Sequence, residues 1–468
     1  MSRTPADYSG SRRNIPHGWS ADPRIRGSAG GTHPAVLHRG GTNTAFALVV
    51  FASLVVLWLG VVALATPTVV YRFGRRFELG SPEFEHAVSS TLGGKLIGGN
   101  SITRLDDGER FYPAMLDAIA HAGRSIALEC YIFHPGRIGD AFSAALIERA
   151  SSGVQVRVIL DAFGSRRMRR RDIEQLAAAG CDVAWHPRSR WRRAQRMTNS
   201  THRELLVVDG RIAFTGGAGI SDWWAGAHKR QPAWRDTMVR VEGPVVAACQ
   251  AVFAENWLEC RGEILAGDEW FPALERCGNM PAAVVKSSLS FAGARALFQA
   301  LIERAAREIR LSTPYFLPDP SFVATLIERA RSGVSISILV PGTRIDHPWV
   351  RVSSRRLFRP LLDAGVRIFE YQPSMIHQKL VVVDDLWTVV GTTNLDMLSF
   401  EYLDEINLAV RDEAFARAAR DRYDADLARS VEVNASRHRR LVERALSWAV
   451  WTLAGQRWVL RLRRRTAR

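Results

Sequence analysis

Residues 146–160 read LIERASSGVQVRVIL, and residues 326–339 read LIERARSGVSISIL. Each copy is an amphipathic helix that runs to a glycine, Gly153 or Gly333, and continues into an alternating β-type run. Further along, each copy has a second helix ending at Gly180 or Gly365, a short strand, and a histidine-bearing strand at 201–209 or 376–384. The spacing of the two copies is far too long for a solenoid unit. Helix and strand alternate, so the predicted fold class is α/β. It comprises two similar α-β-α sandwich halves, 101–265 and 280–430, related by pseudo-twofold symmetry.

The histidine strands carry the chemistry. The second reads His377-Gln378-Lys379-Leu380-Val381-Val382-Val383-Asp384, an HxKxxxxD pattern. Side chains alternate along a strand, so His377 and Lys379 share a face and Gln378 points away. A neutral imidazole can attack phosphorus or protonate a leaving oxygen, and an ammonium beside it can hold phosphate oxygens. Lysine is scarce here, four residues against 59 Arg, which sets Lys379 apart from its surroundings. The first copy reads His202-Arg203-Glu204-Leu205-Leu206-Val207-Val208-Asp209, with His and Asp in register and Glu204 where Lys is expected. Gly-rich turns follow both strands, at 215–219 and 391–396. Such turns bring backbone N–H groups close to an oxyanion, and Asn394 adds a side-chain donor.

The chain has 468 residues, 47% of them hydrophobic, and a net charge of +16. That excludes a fully disordered chain. The charge sits at the ends: six Arg and two Asp in 1–44, and ten Arg against Glu443 in 436–468. With the middle close to neutral, membrane-surface contact is favoured over nucleic-acid binding, and no nucleic-acid partner is expected. Residues 1–44 read as a disordered basic arm. Residues 45–66 open on an uncharged run, AFALVVFASLVVLWLGVVALA, long enough to span a bilayer core. It reads as a retained transmembrane helix; the arm before it is too long for a signal peptide, the competing reading. Residues 67–100 read as a linker. Arg72, Arg75 and Arg76 just beyond the span favour a cytoplasmic body. So do five scattered cysteines without a CxxC pair. Ten Arg between 166 and 196, with Trp191 among them, suit anionic headgroups or form a solvated loop. The tail 436–468, with Trp448, Trp451 and Trp458 beside apolar residues, reads as a basic amphipathic membrane-surface segment; packing on the body is its alternative.

With both strands in view, residues 101–430 resemble the phospholipase D superfamily, and within it the bacterial cardiolipin synthases. Besides the duplicated motif, the family-like stretches are 107–133, 234–257 (WRDTMVRVEGPVVAACQAVFAENW) and 391–408 (GTTNLDMLSFEYLDEINL). The resemblance implies a two-step phosphatidyl transfer without metal or cofactor, through a covalent phosphatidyl-histidine, in a bacterial inner-membrane enzyme. Phosphatidylglycerol is then both donor and acceptor, and glycerol leaves. His202, Asp209, His377, Lys379, Asp384 and Asn394 match family positions, and the resemblance implies that the first five are catalytic and that Asn394 binds or orients the phosphate. Glu204 and Gly219 stand where the family usually has Lys and Asn, and Leu403 replaces a frequent polar residue. Two other outcomes stay open: a phosphodiesterase or nuclease of the same superfamily, and a membrane scaffold that keeps the fold without the activity. The resemblance gives the nucleophile's part to the first-half histidine. Electrostatics point the other way: a Glu204 carboxylate beside His202 favours the imidazolium, and Lys379 beside His377 favours the neutral ring.

Overall fold

The computed structural model describes residues 46, 48–55, 57–58, 77–91, 94–186, 200–226, 231–288 and 291–434. The described part of the apolar run, including Phe46, Phe51 and Trp58, is helical and exposed. Among the described residues no helix is long and apolar enough to cross a membrane. The rest of that run, the arm before it, residues 187–199 and the tail from 435 lie outside the described residues.

In the first half the strands are β1 (Ile97–Asp106), β2 (Ser125–Cys130), β3 (Gln155–Asp161), β4 (Asp182–His186), β5 (Glu204–Val208), β6 (Ile212–Gly216) and β7 (Thr237–Glu242). The second half has β8 (Met280–Ser287), β9 (Glu308–Ser312), β10 (Phe316–Leu317), β11 (Ser335–Pro341), β12 (Arg367–Tyr371), β13 (Leu380–Val383), β14 (Trp387–Gly391), β15 (Leu395–Asp396), β16 (Glu405–Arg411) and β17 (Ser430–Glu432). The repeated helices are Arg137–Ser151 and Pro320–Arg331, and both end the same way. Gly153 (φ 90°) and Gly333 (φ 94°) adopt the left-handed conformation. The following Val154 and Val334 amides reach back to Arg149 and Arg329 carbonyls, each at 3.1 Å. Those bonds satisfy carbonyls that a helix end would otherwise leave open, and glycine takes the turn without a Cβ penalty.

The two halves do not carry separate sheets, as the sequence suggested. All but β10 and β15 join one sheet of fifteen strands, in the order β17-β12-β11-β9-β13-β14-β16-β8-β1-β7-β6-β5-β2-β3-β4. Read outward from the β8–β1 seam, the two sides match strand for strand, with β17 as an extra edge. The seam is antiparallel and irregular between Ile97 and Asn100. The buried Asn100 side chain holds it, donating to the Ile97 and Met280 carbonyls (2.6 and 2.9 Å) and accepting from the Val245 amide (2.8 Å). A buried amide so fully satisfied fixes register as apolar contact alone does not. Two apolar layers belong to one half each. A third runs under both, covered by the helices Val246–Arg261 and Glu413–Leu427, and includes Phe253, Trp257, Ile376, Leu408 and Tyr423.

The expected linker also holds structure. Helix Pro82–Thr91 lies ahead of the first half in sequence but packs on the second. Phe84 meets Trp387 edge to face at 5.9 Å, the Trp387 indole donates to the Leu79 carbonyl (2.9 Å), and Glu85 pairs with Arg411.

Candidate active site

Both histidines stand just before their strands rather than within them. His202 precedes β5, and His377 precedes β13 by three residues. Each lead-in is clamped by backbone of the other half. The His202 amide donates to the Asp404 carbonyl (2.9 Å), and the His377 amide to the Arg235 carbonyl (2.7 Å). In return the Asp404 amide donates to Ser200 (3.1 Å) and the Arg235 amide to Met375 (2.8 Å). The pseudo-twofold thus carries each histidine to the β7 or β16 end of the opposite half.

Those ends supply two carboxylates that sequence reasoning did not single out. His202 Nδ1 lies 3.0 and 3.1 Å from the Glu405 oxygens. His377 Nδ1 lies 2.9 Å from Asp236 Oδ2. A carboxylate at Nδ1 fixes the tautomer with its proton there and leaves the Nε2 lone pair for chemistry. Glu405 is positioned by the Thr392 hydroxyl, and Asp236 by the Trp224 indole (2.9 Å) and the Thr237 amide (2.8 Å). Rings complete the walls: Tyr131 is 4.9 Å from His202, and Trp224 and Trp234 are each 5.4 Å from His377. The signal for the carboxylates lay in the repeat, since Asp236 and Glu405 occupy matching positions one residue ahead of or at the start of β7 and β16.

Lys379 is buried with His377, its Nζ 2.9 and 3.0 Å from the two ring nitrogens and 2.9 Å from the His377 carbonyl. Burial, then the Lys379 charge, hold the His377 imidazole below its ordinary value, against the hydrogen bond and charge of Asp236. The ring is therefore neutral at pH 7. Burial also brings the Lys379 ammonium down to about 8, opposed by Asp236, Glu405 and Glu204. Burial alone would raise Asp236, but the hydrogen bond from His377, the Lys379 charge and the Thr237 amide together keep the carboxyl below its usual range. Asn394 is buried in the turn after β14, its Oδ1 without a partner among the described residues.

Three expectations are corrected. Asp209 and Asp384 are not at the reacting centre. Each lies seven residues past its histidine, about 20 Å along an extended chain. Asp209 accepts from the Gly123, Arg124 and Ser125 amides (2.9, 2.7 and 2.8 Å). Asp384 accepts from Ala306, Arg307 and Glu308 (2.7, 2.8 and 2.8 Å). With φ of 53° and 54°, both hold turns that tolerate Asp better than most residues, so they position the strands. Glu204 is not the carboxylate that pairs with His202; Glu405 is. Finally, Glu204 is no ordinary carboxylate, because burial pushes it up to about 8. Its Oε1 accepts from the Ile132 amide at 3.1 Å. Arg203 points away, donating to the Val252 carbonyl (2.9 Å) and Glu255. Of the cationic stretch, Arg166 lies over Phe163 (4.5 Å) and Arg167 over Trp223 (5.5 Å), while Trp191 lies outside the described residues.

A family described as cardiolipin synthase, phospholipase D-like domain, matches residues 115–257 and 298–427. Cardiolipin synthase 2 of Bacillus anthracis is 31% identical over 368 residues, 76% of this chain and 71% of that protein. Cardiolipin synthase A of Pseudomonas entomophila (strain L48) is 32% identical over 346 residues, 72% of this chain and 71% of that protein. Among solved structures, phosphatidylserine synthase of Haemophilus influenzae Rd KW20 superposes with a TM-score of 0.58 at 13% identity, covering 79% of this chain and 97% of that one. This last likeness concerns fold alone. With a matching family domain over both halves and two carboxylate-backed histidines in equivalent places of the pseudosymmetric halves, the chain belongs to the cardiolipin synthase family of phospholipase D-type phosphatidyltransferases.

Proposed function

We propose that this protein makes cardiolipin, moving a phosphatidyl group from one phosphatidylglycerol to the hydroxyl of another with release of glycerol. The observation that carries the mechanism is the unequal surroundings of the two histidines. His377 is the neutral, buried ring beside the ammonium, which makes it the nucleophile. Its Nε2 attacks phosphorus and the P–O bond to glycerol breaks. His202, backed by Glu405, gives that oxygen its proton. In the second step His202 takes the proton from the acceptor hydroxyl, whose oxygen attacks phosphorus as the P–N bond to His377 breaks. Lys379 balances charge on the non-bridging oxygens in both steps.

The substrates are lipids, and the rim suits them. Phe163, Trp349 and Leu398 are more than half or half exposed, at 61, 50 and 57%. Gly164, next to Phe163 in the chain, packs on the Tyr131 wall of His202, and Trp349 follows Asp346, whose charge acts on His377 and Lys379. With Arg166 over Phe163, these side chains favour docking of the mouth on an anionic bilayer. A membrane anchor at 45–66 and a cytoplasmic body complete the proposal.

Incubating the purified protein with phosphatidylglycerol tests it. Cardiolipin and glycerol in equal amounts are expected, with the acid-quenched phosphatidyl adduct on His377. Phosphatidic acid alone would make the protein a hydrolase, and no product would make it a scaffold. An adduct on His202 would reverse the roles given to the histidines.

A further inference from the structure

Glu204 and Gly219 look like two separate losses from a family pattern, but they form one device. Glu204 matches Lys379 in the repeat, and Gly219 matches Asn394, because Asp209 and Asp384 cap equivalent amides at the far ends of the two strands. Gly219 does not adopt a positive φ, so its backbone does not require glycine. The space does. A Cβ at 219 would stand 2.8 Å from Glu204 Oε1, 2.7 Å from Ile132 Cβ and 2.8 Å from the Ile132 carbonyl. The carboxyl thus occupies room that a side chain at 219 would need, and it is fixed there by the Ile132 amide. The loop bearing Gly219 is pinned in turn by the buried Tyr112 hydroxyl, which donates to the Gly219 carbonyl (2.6 Å).

The two half-sites therefore offer different chemistry. The second presents an ammonium and an amide, Lys379 and Asn394, the groups that hold anionic phosphoryl oxygens. The first presents a carboxyl in their place, and among the described residues Glu204 forms no salt bridge. A phosphoryl group gains nothing there. An alcohol does, since a carboxyl can accept a hydrogen bond from one hydroxyl and, while it keeps its proton, donate to a second.

Resting on the reading of His377 as nucleophile, we propose that Glu204 is an alcohol-binding residue: it holds a hydroxyl of the glycerol headgroup on the His202 side and selects polyol over simple alcohols. The phosphoryl group then stays with the second half through both steps, and the leaving and entering alcohols exchange beside Glu204.

Acceptor competition on the full-length protein tests this. With unlabelled phosphatidylglycerol as donor, isotopically labelled glycerol and labelled 1-propanol are compared as acceptors, read as labelled phosphatidylglycerol and phosphatidylpropanol, through the ratio of their kcat/KM values. In Glu204→Leu the preference for glycerol should fall about tenfold, the loss expected when one hydrogen bond to a hydroxyl goes. Glu204→Gln, which keeps a donor and an acceptor, should retain most of it. An unchanged ratio in both variants, with turnover lowered equally for both alcohols, would overturn the proposal. If wild type makes no cardiolipin, the functional reading itself fails, before any variant is compared.

Discussion

At the scale of single residues, the site depends on two carboxylates that carry no motif. Asp236→Asn should leave the His377 ring without its anionic partner and free to present the wrong tautomer. Glu405→Gln should do the same to His202. Each should lower kcat by about 10²-fold or more with little change in circular dichroism, a loss of the size attached to acid–base groups. Near-normal turnover in either variant would remove the pairing from the mechanism. The pH profile carries a second signature. Lys379 must be charged to hold the phosphoryl oxygens, and it loses its proton near pH 8. Turnover should therefore fall as pH rises through about 8. Glu204 titrates in the same range, so the limb must be shown to persist in Glu204→Gln for Lys379 to be its source. The histidines and Lys379 were legible in the sequence, because residue type and two-residue spacing define them. Asp236 and Glu405 were not. Their role arises only when the opposite half brings a histidine to the end of β7 or β16, and nothing in WRDT or LDEI by itself states that meeting.

At the scale of elements, the repeat foretold most of the architecture. Helices ending in Gly153 and Gly333 and buried strands such as β2 follow from local periodicity and turn chemistry, which the sequence displays openly. The joined sheet was hidden for a physical reason. β1 and β8 pair across 180 residues through a seam held by one asparagine, and the edge of a strand does not record whether it will be paired or solvated. The helix at Pro82–Thr91 was hidden too, since its apolar face is short and its partner lies in the other half. Phe84 is fully buried there against Trp387. Phe84→Ala should destabilise the protein by about 3 kcal/mol or more, the usual result of removing a buried aromatic ring. Urea unfolding should report it, and a loss below about 1 kcal/mol would mean that the helix is an ornament on the second half.

At the scale of the whole molecule, the body should bind lipid without its apolar leader. A protein beginning at residue 67 should still associate with vesicles rich in phosphatidylglycerol at low salt, and the association should weaken steeply as ionic strength rises. Replacing Phe163 and Trp349 together with Ser should weaken it further, measured by co-sedimentation. Truncated protein that ignores such vesicles would leave attachment to residues 1–66 alone. The docking of the early helix on the second half has a further consequence, one that concerns synthesis. The Leu79 and Gly80 carbonyls find their donors, Trp387 and Arg411, 308 and 331 residues later. At about 5 to 20 residues per second, a ribosome takes about 15 to 60 s to make that stretch. Throughout this interval the segment beside the apolar leader has no place to pack, and His202 waits for a Glu405 that has not been translated. The nascent chain thus holds His202 long before it owns a working centre, and a ribosome that stalls short of β16 leaves a product without the Glu405 partner of that histidine.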